Sequence, residues 1–92
     1  MSVAQRIRTK LTAGLNPLRL VIHDESHRHA GHVGARPEGE THFRLEIVAA
    51  AFEGESRIAR QRRVYRLLAE ELAGPVHALS LTTLTPDEAT TG

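Results

Sequence analysis

A chain of 92 residues, 40% hydrophobic and 3% aromatic, has material for one aliphatic core and too little length for two domains. A formal net charge of +1 argues against a chain-wide polyanion-binding surface and leaves local clusters as the route to nucleic acid. With no cysteine, the chain cannot form disulfides, use thiolate catalysis or build a cysteine-based zinc or iron–sulfur site by itself.

Ser2 to Ala13 reads as a helix. Ser2 and Gln5 have capping-box spacing, Val3, Ile7 and Leu11 recur at i+4, and Gly14 stands at the expected stop. Arg6, Arg8 and Lys10 occupy its other face. After the turn signal Asn16-Pro17, the run Leu18 to His23 has strand composition. From Asp24 to Glu40 the apolar periodicity disappears and Gly31, Gly34, Pro37 and Gly39 accumulate, so a long loop is expected. Thr41 to Val48 alternates cleanly, with Phe43, Leu45 and Ile47 on one face and His42, Arg44 and Glu46 on the other, the pattern of a half-buried strand.

Ala49 to Phe52 fits a short helical turn, Gly54 a bend, and Ser56 a cap for the next helix. That helix is predicted to run unbroken to the Gly74-Pro75 stop. A helical wheel places Ile58, Val64, Tyr65, Leu68, Ala69 and Leu72 in one apolar arc that also takes in Gln61, and Arg62, Arg63, Arg66 and Glu70 outside it. His77 then opens a strand that runs to Leu81, and the polar stretch from Thr85 to Gly92 is expected to fray. The predicted order is α-β-β-α-α-β, an α+β domain with its helices on one side of the sheet. No apolar run approaches the roughly 20 residues of a membrane span, and the N-terminus lacks a signal-like apolar stretch; a soluble, cytoplasmic protein is the expectation.

Histidine is the compositional anomaly: the chain has six, and five fall between His23 and His42. In the loop, His27, His29 and His32 follow Asp24, and the H-x-H pair puts two rings on one side of an extended backbone; the residues fit either a transition-metal site or a solvated loop. His77 reads either as a core histidine bonded to backbone or as a histidine at the rim of the sheet, within reach of that loop. His42 reads as an outer-face surface residue beside Arg44 and Glu46. Arg57, Arg60, Arg62, Arg63 and Arg66 make a basic helix that fits either a solvated face or, with the turn at Gly54, a nucleic-acid reading head. No aromatic residue interleaves with them, so base stacking there is not supported. No G-x-S-x-G nucleophile elbow is present.

DESHRH at 24–29, GETHFRLEIV at 39–48, AFEG before Ser56, LLAEEL with GPVHALSL up to Leu81, and the Thr85-Pro86 pair closely resemble the BolA family of small bacterial and mitochondrial proteins, in order and spacing from Ile7 to Pro86. The resemblance implies a fold similar to the type II KH domain: a three-stranded mixed sheet covered by helices on one face, over residues 1–86, followed by a disordered polar tail at 87–92. It also implies a non-enzymatic adaptor, monomeric alone, that forms a heterodimer with a monothiol glutaredoxin and shares a two-iron, two-sulfur cluster with it and glutathione. The family pattern places one ligand at His77 and a second at His29, with His32 a near alternative. Some members are described as DNA-binding regulators of stress and cell shape, a role that would fall to the basic helix. Two positions depart from the pattern: Gln61 stands where a histidine is frequent, and no Trp follows Pro86.

Overall fold

The computed structural model describes residues 2–25 and 41–91. Helix α1 spans Val3–Leu15 and begins with the expected capping box: the Ser2 N–H donates to Gln5 Oε1 at 2.8 Å and the Gln5 N–H to Ser2 Oγ at 3.1 Å. Ile7, Leu11 and Leu15 are buried. The helix does not stop at Gly14 but runs on to Asn16, which adopts the left-handed conformation (φ 45°) and donates its N–H to Thr12 O. Gly14 instead permits close packing. A Cβ there would lie 2.7 Å from Leu67 Cδ2, so its bare backbone lets two helices approach each other.

Strand β1 (Arg19–Asp24) pairs antiparallel with β2 (His42–Val48), from Arg19 opposite Val48 to Asp24 opposite Phe43. The alternation of β2 follows the sequence pattern, with Phe43, Leu45 and Ile47 buried and the residues between them half-buried. A 3-10 turn at Ala50–Phe52 drives Phe52 into the core, and Gly54 bends the chain at φ 79°. Ser56 then caps helix α2 (Arg57–Leu67) by accepting the Ala59 N–H at 3.1 Å.

The single long helix expected here is two. Leu68, at φ −106° and ψ 21°, separates α2 from α3 (Ala69–Ala73). The core-facing stripe is also rotated from the one predicted. Arg60, Val64, Leu68 and Glu71 are buried, whereas Ile58 is 61% and Tyr65 41% exposed. At about 100° per residue, those two lie more than about 100° from the centre of the buried arc. The wheel fails because it ranks residues by hydropathy, and both charged residues of the true stripe carry their own partners. Arg60 Nη1 donates to Thr83 O at 3.0 Å and to Glu88 Oε1 at 2.7 Å. Glu71 is clasped by Lys10 at 2.9 Å and Arg6 at 2.9 Å.

Strand β3 (Ala78–Leu84) joins β2 in parallel, with His42 opposite Ala78, so the sheet is mixed and ordered β1-β2-β3. Residues of α1, α2 and α3 pack with the inner residues of all three strands in one core. The tail expected to be disordered from residue 87 is instead helix α4 (Pro86–Thr91). The Thr85 N–H donates to Glu88 Oε1 at 2.8 Å and the Glu88 N–H to Thr85 Oγ1 at 3.2 Å, a second capping box with proline at the first helical position. Among the described residues no helix is long and apolar enough to cross a membrane.

Candidate functional site at the rim of the sheet

Gly74 and Pro75 end α3, and the turn closes on one carbonyl: Glu71 O accepts the N–H of Gly74 at 3.2 Å and of Val76 at 3.0 Å. Val76 enters the core, and the next residue, His77, is exposed. Its N–H donates to Thr41 O at 2.7 Å, and the Ala78 N–H meets the same oxygen at 3.2 Å, so the parallel ladder starts here. The His77 ring stacks on that of His42, with centroids 6.2 Å apart and planes 19° from parallel. His42 Nδ1 lies 2.8 Å from Thr41 Oγ1, and Thr41 itself is fully buried.

The structure therefore adds His42, which the sequence pattern marks only as a surface residue, to the neighbourhood of His77. Alternation along β2 shows which face His42 occupies; only the pairing of β2 with β3 shows what stands beside it. The same rim holds both flanks of the histidine-bearing segment. The Glu25 N–H donates to His42 O at 2.8 Å, and Thr41 is the acceptor of His77. His27, His29 and His32 lie between these flanks, outside the described residues. Among the described residues no group of three or more His, Cys, Asp or Glu is arranged to hold a metal ion. What the described rim offers is one exposed imidazole, a nitrogen donor that needs ligands from elsewhere to complete a metal's coordination.

His23 is committed on the outer sheet face. Its Nε2 lies 2.8 Å from Glu46 Oε2, Arg44 Nη1 donates to that oxygen at 3.1 Å, and Arg44 Nε reaches Glu25 at 3.2 Å. The His23 hydrogen bond, opposed by burial and aided by Arg44, holds the Glu46 carboxyl below its usual range.

The arginine cluster is divided by the fold. Arg60 lies over the Phe52 ring, 5.9 Å from its centroid, with its guanidinium on Glu55 O, Thr83 O and Glu88. Arg63 forms a bidentate pair with Glu55 at 2.6 and 3.1 Å. Arg57, Arg62 and Arg66 are exposed. The five cations counted along the helix are thus three on the surface and two engaged with carboxylates, and the buried one ties α2 to α4.

A mixed three-stranded sheet, backed by helices and carrying an imidazole pair at one rim, defines the class: a small α+β domain. The family follows from comparison with known proteins. The model of the BolA-like protein family matches residues 11–88, and the chain belongs to that family. It is 49% identical over 87 residues to Protein BOLA1, chloroplastic, of Arabidopsis thaliana, covering 92% of this chain and 54% of that protein. Against SufE-like protein 1, chloroplastic/mitochondrial, of the same plant it is 46% identical over 91 residues, 95% of this chain and 24% of the relative. The chain thus spans about half and about a quarter of the length of these two relatives. The solved BolA domain of SufE1 from Arabidopsis thaliana superposes with a TM-score of 0.85 at 46% identity, covering 96% of each chain.

Proposed function

We propose that this chain is a cytoplasmic BolA-like adaptor with no catalytic activity of its own, which pairs with a monothiol glutaredoxin and co-ligates a two-iron, two-sulfur cluster. His77 supplies one nitrogen, and a histidine of segment 26–40 the second, His29 first and His32 or His27 in its place. The observation that carries this reading is the exposed His77 imidazole at the rim where that segment leaves β1 and rejoins β2. The donor set fits a shared cluster: the chain has imidazoles and no thiolate, so one iron takes nitrogen here while the other takes sulfur from glutaredoxin and glutathione. Nitrogen in place of thiolate makes such a centre less negative and raises its potential. That a domain of this kind also occurs within a longer SufE-like protein suits an adaptor working beside other domains.

Anaerobic mixing with cluster-loaded monothiol glutaredoxin is expected to change the visible absorption and circular dichroism spectra. His77→Ala is expected to abolish the change while leaving the fold intact, because the residue is exposed and its bond to Thr41 is made by backbone. An unaltered spectrum with the unmodified chain would overturn the reading. A second reading, nucleic-acid binding through α2, rests on the three exposed arginines, Arg57, Arg62 and Arg66.

A further inference from the structure

An exposed imidazole held only by its own backbone samples several rotamers, and a ligand that must meet a partner's metal at one distance loses affinity if it is ordered only on binding. His77 has two restraints at the rim. Its N–H is fixed on Thr41 O at 2.7 Å, and its ring lies nearly parallel to that of His42, offset by a centroid distance of 6.2 Å. Thr41 serves both: its carbonyl takes the His77 N–H, and its hydroxyl meets His42 Nδ1 at 2.8 Å. Because Thr41 is fully buried, this hub is itself rigidly placed.

Resting on the cluster-adaptor reading above, we propose that His42 is a positioning residue for His77: its ring, oriented through Thr41, is a platform that holds the His77 imidazole in one orientation before a thiolate-bearing partner arrives. The centroid separation of 6.2 Å falls within the range of productive aromatic pairs, roughly 4.5–7 Å. At 6.2 Å between centroids and 19° between planes the rings are nearly parallel and laterally offset, not directly one over the other. Substitution is what separates a platform from a nitrogen donor.

The test compares His42→Ala, which removes the platform, with His42→Phe, which keeps an aromatic face and removes both nitrogens. In the free protein, ring NMR of labelled histidine reads the side-chain order of His77. That ring is expected to be ordered in the unmodified chain, slightly loosened in His42→Phe, which keeps the aromatic face and loses the Thr41 hydrogen bond, and averaged over rotamers in His42→Ala, with the amide signals of β2 and β3 unmoved. Thr41→Val, nearly isosteric and lacking the hydroxyl, is expected to loosen His77 partially and gives an independent measurement of the same ring. With cluster-loaded monothiol glutaredoxin as probe, His42→Ala should raise the concentration for half of the spectral change by about two- to tenfold, the loss of one aromatic pair. His42→Phe should stay within about twofold of the unmodified chain. A His77 ring as ordered in His42→Ala as in the unmodified chain overturns the proposal. So does a His42→Phe chain that behaves like His42→Ala, a result that assigns His42 a nitrogen donor's role. If the unmodified chain leaves the glutaredoxin spectrum unchanged, the cluster reading falls, and the ring order in the free protein still decides for or against the platform.

Discussion

Replacing both Arg6 and Lys10 with methionine is expected to cost far more stability than replacing Glu71 with methionine, although all three belong to one cluster. The Glu71 side chain is 0% exposed, whereas Arg6 and Lys10 keep 38% and 29% of their surface. In Glu71→Met the cations turn to water, Lys10 keeps Glu70 at 2.8 Å, and a side chain of similar volume fills the site; the cost is about 1 kcal/mol or less. In the double variant a sealed carboxylate loses both counterions, at about 3–5 kcal/mol, or a midpoint lower by more than about 12 °C for a domain of this size. The pH dependence reverses as well. In the unmodified protein burial pushes the Glu71 carboxyl up, but the Lys10 hydrogen bond, with Arg6 behind it, brings the net value below the usual range. Its contribution is therefore present above the unfolded carboxyl's pKa and is lost as pH falls through the folded value. Without the cations, burial is opposed only by the carboxyl's bond to its own backbone, so the folded-state pKa rises and the penalty is relieved as the carboxyl takes a proton. Urea melts followed by circular dichroism at about pH 7 and about pH 4.5 should show the gap between double variant and unmodified chain narrowing on acidification. A double variant as stable as Glu71→Met, or a gap that widens toward low pH, would refute the reasoning.

The Arg60 guanidinium, and after it the Thr85 N–H, hold the Glu88 carboxyl down to about 2. The hold on α4 is thus present above the usual carboxylate range and lost as pH falls toward that value; the Glu88 carboxyl carbon shift should report the low midpoint, and Arg60→Met should raise it toward the usual range, with the Thr85 N–H still holding it partly down. Exchanging Arg57, Arg62 and Arg66 for Gln should leave the melting midpoint within about 3 °C, whereas Arg60→Gln removes the donor to Thr83 O and should cost about 1–3 kcal/mol. Should α2 hold duplex DNA, that triple exchange flattens the salt slope by about 2.7; an unmodified chain not retained at low salt refutes the nucleic-acid reading. At Gly14, alanine gains about 1 kcal/mol of helix propensity and meets Leu67 Cδ2 at 2.7 Å, so Gly14→Ala should be near neutral alone and stabilising by about 1 kcal/mol in a Leu67→Ala background, as read by a double-mutant cycle in urea.

What can be read from residues alone is whatever depends on neighbours in the chain. The Ser2 and Ser56 caps, the β2 alternation and the turns at Gly54 and Gly74-Pro75 are local, and each stands where the sequence places it. Helix α4 is equally legible, since Thr85-Pro86-Asp87-Glu88 has capping-box spacing with proline at the first helical position; the polar composition of the tail outweighs a signal that is present. Arg60 and Glu71 are not legible. A charged residue in a core-facing stripe is stable only if a distant chain segment supplies its partner, and nothing within α2 or α3 announces Glu88 or Lys10. His42 is hidden for the same reason, because a strand's own alternation carries no information on which strand lies beside it.

The rim depends on β2 and β3 running parallel. Parallel pairing forces a crossover, here α2 and α3, and the register of His42 against Ala78 brings both strands to their starts at one end of the sheet. Strand β1 is antiparallel to β2 and finishes at that end too. Three chain segments therefore meet in one place: the end of β1 at Asp24, the approach to β2 at Thr41 and the approach to β3 at His77. In an all-antiparallel meander of the same strands, β3 would begin at the opposite end and His77 would stand a strand's length from Thr41. The crossover also links the rim to the far side of the core. Glu71, whose carboxylate is gripped from α1, offers its carbonyl to the turn that leads into His77, so one residue joins α1 to the approach to the rim. Exposure at the rim and rigidity behind it are thus consequences of the same strand order.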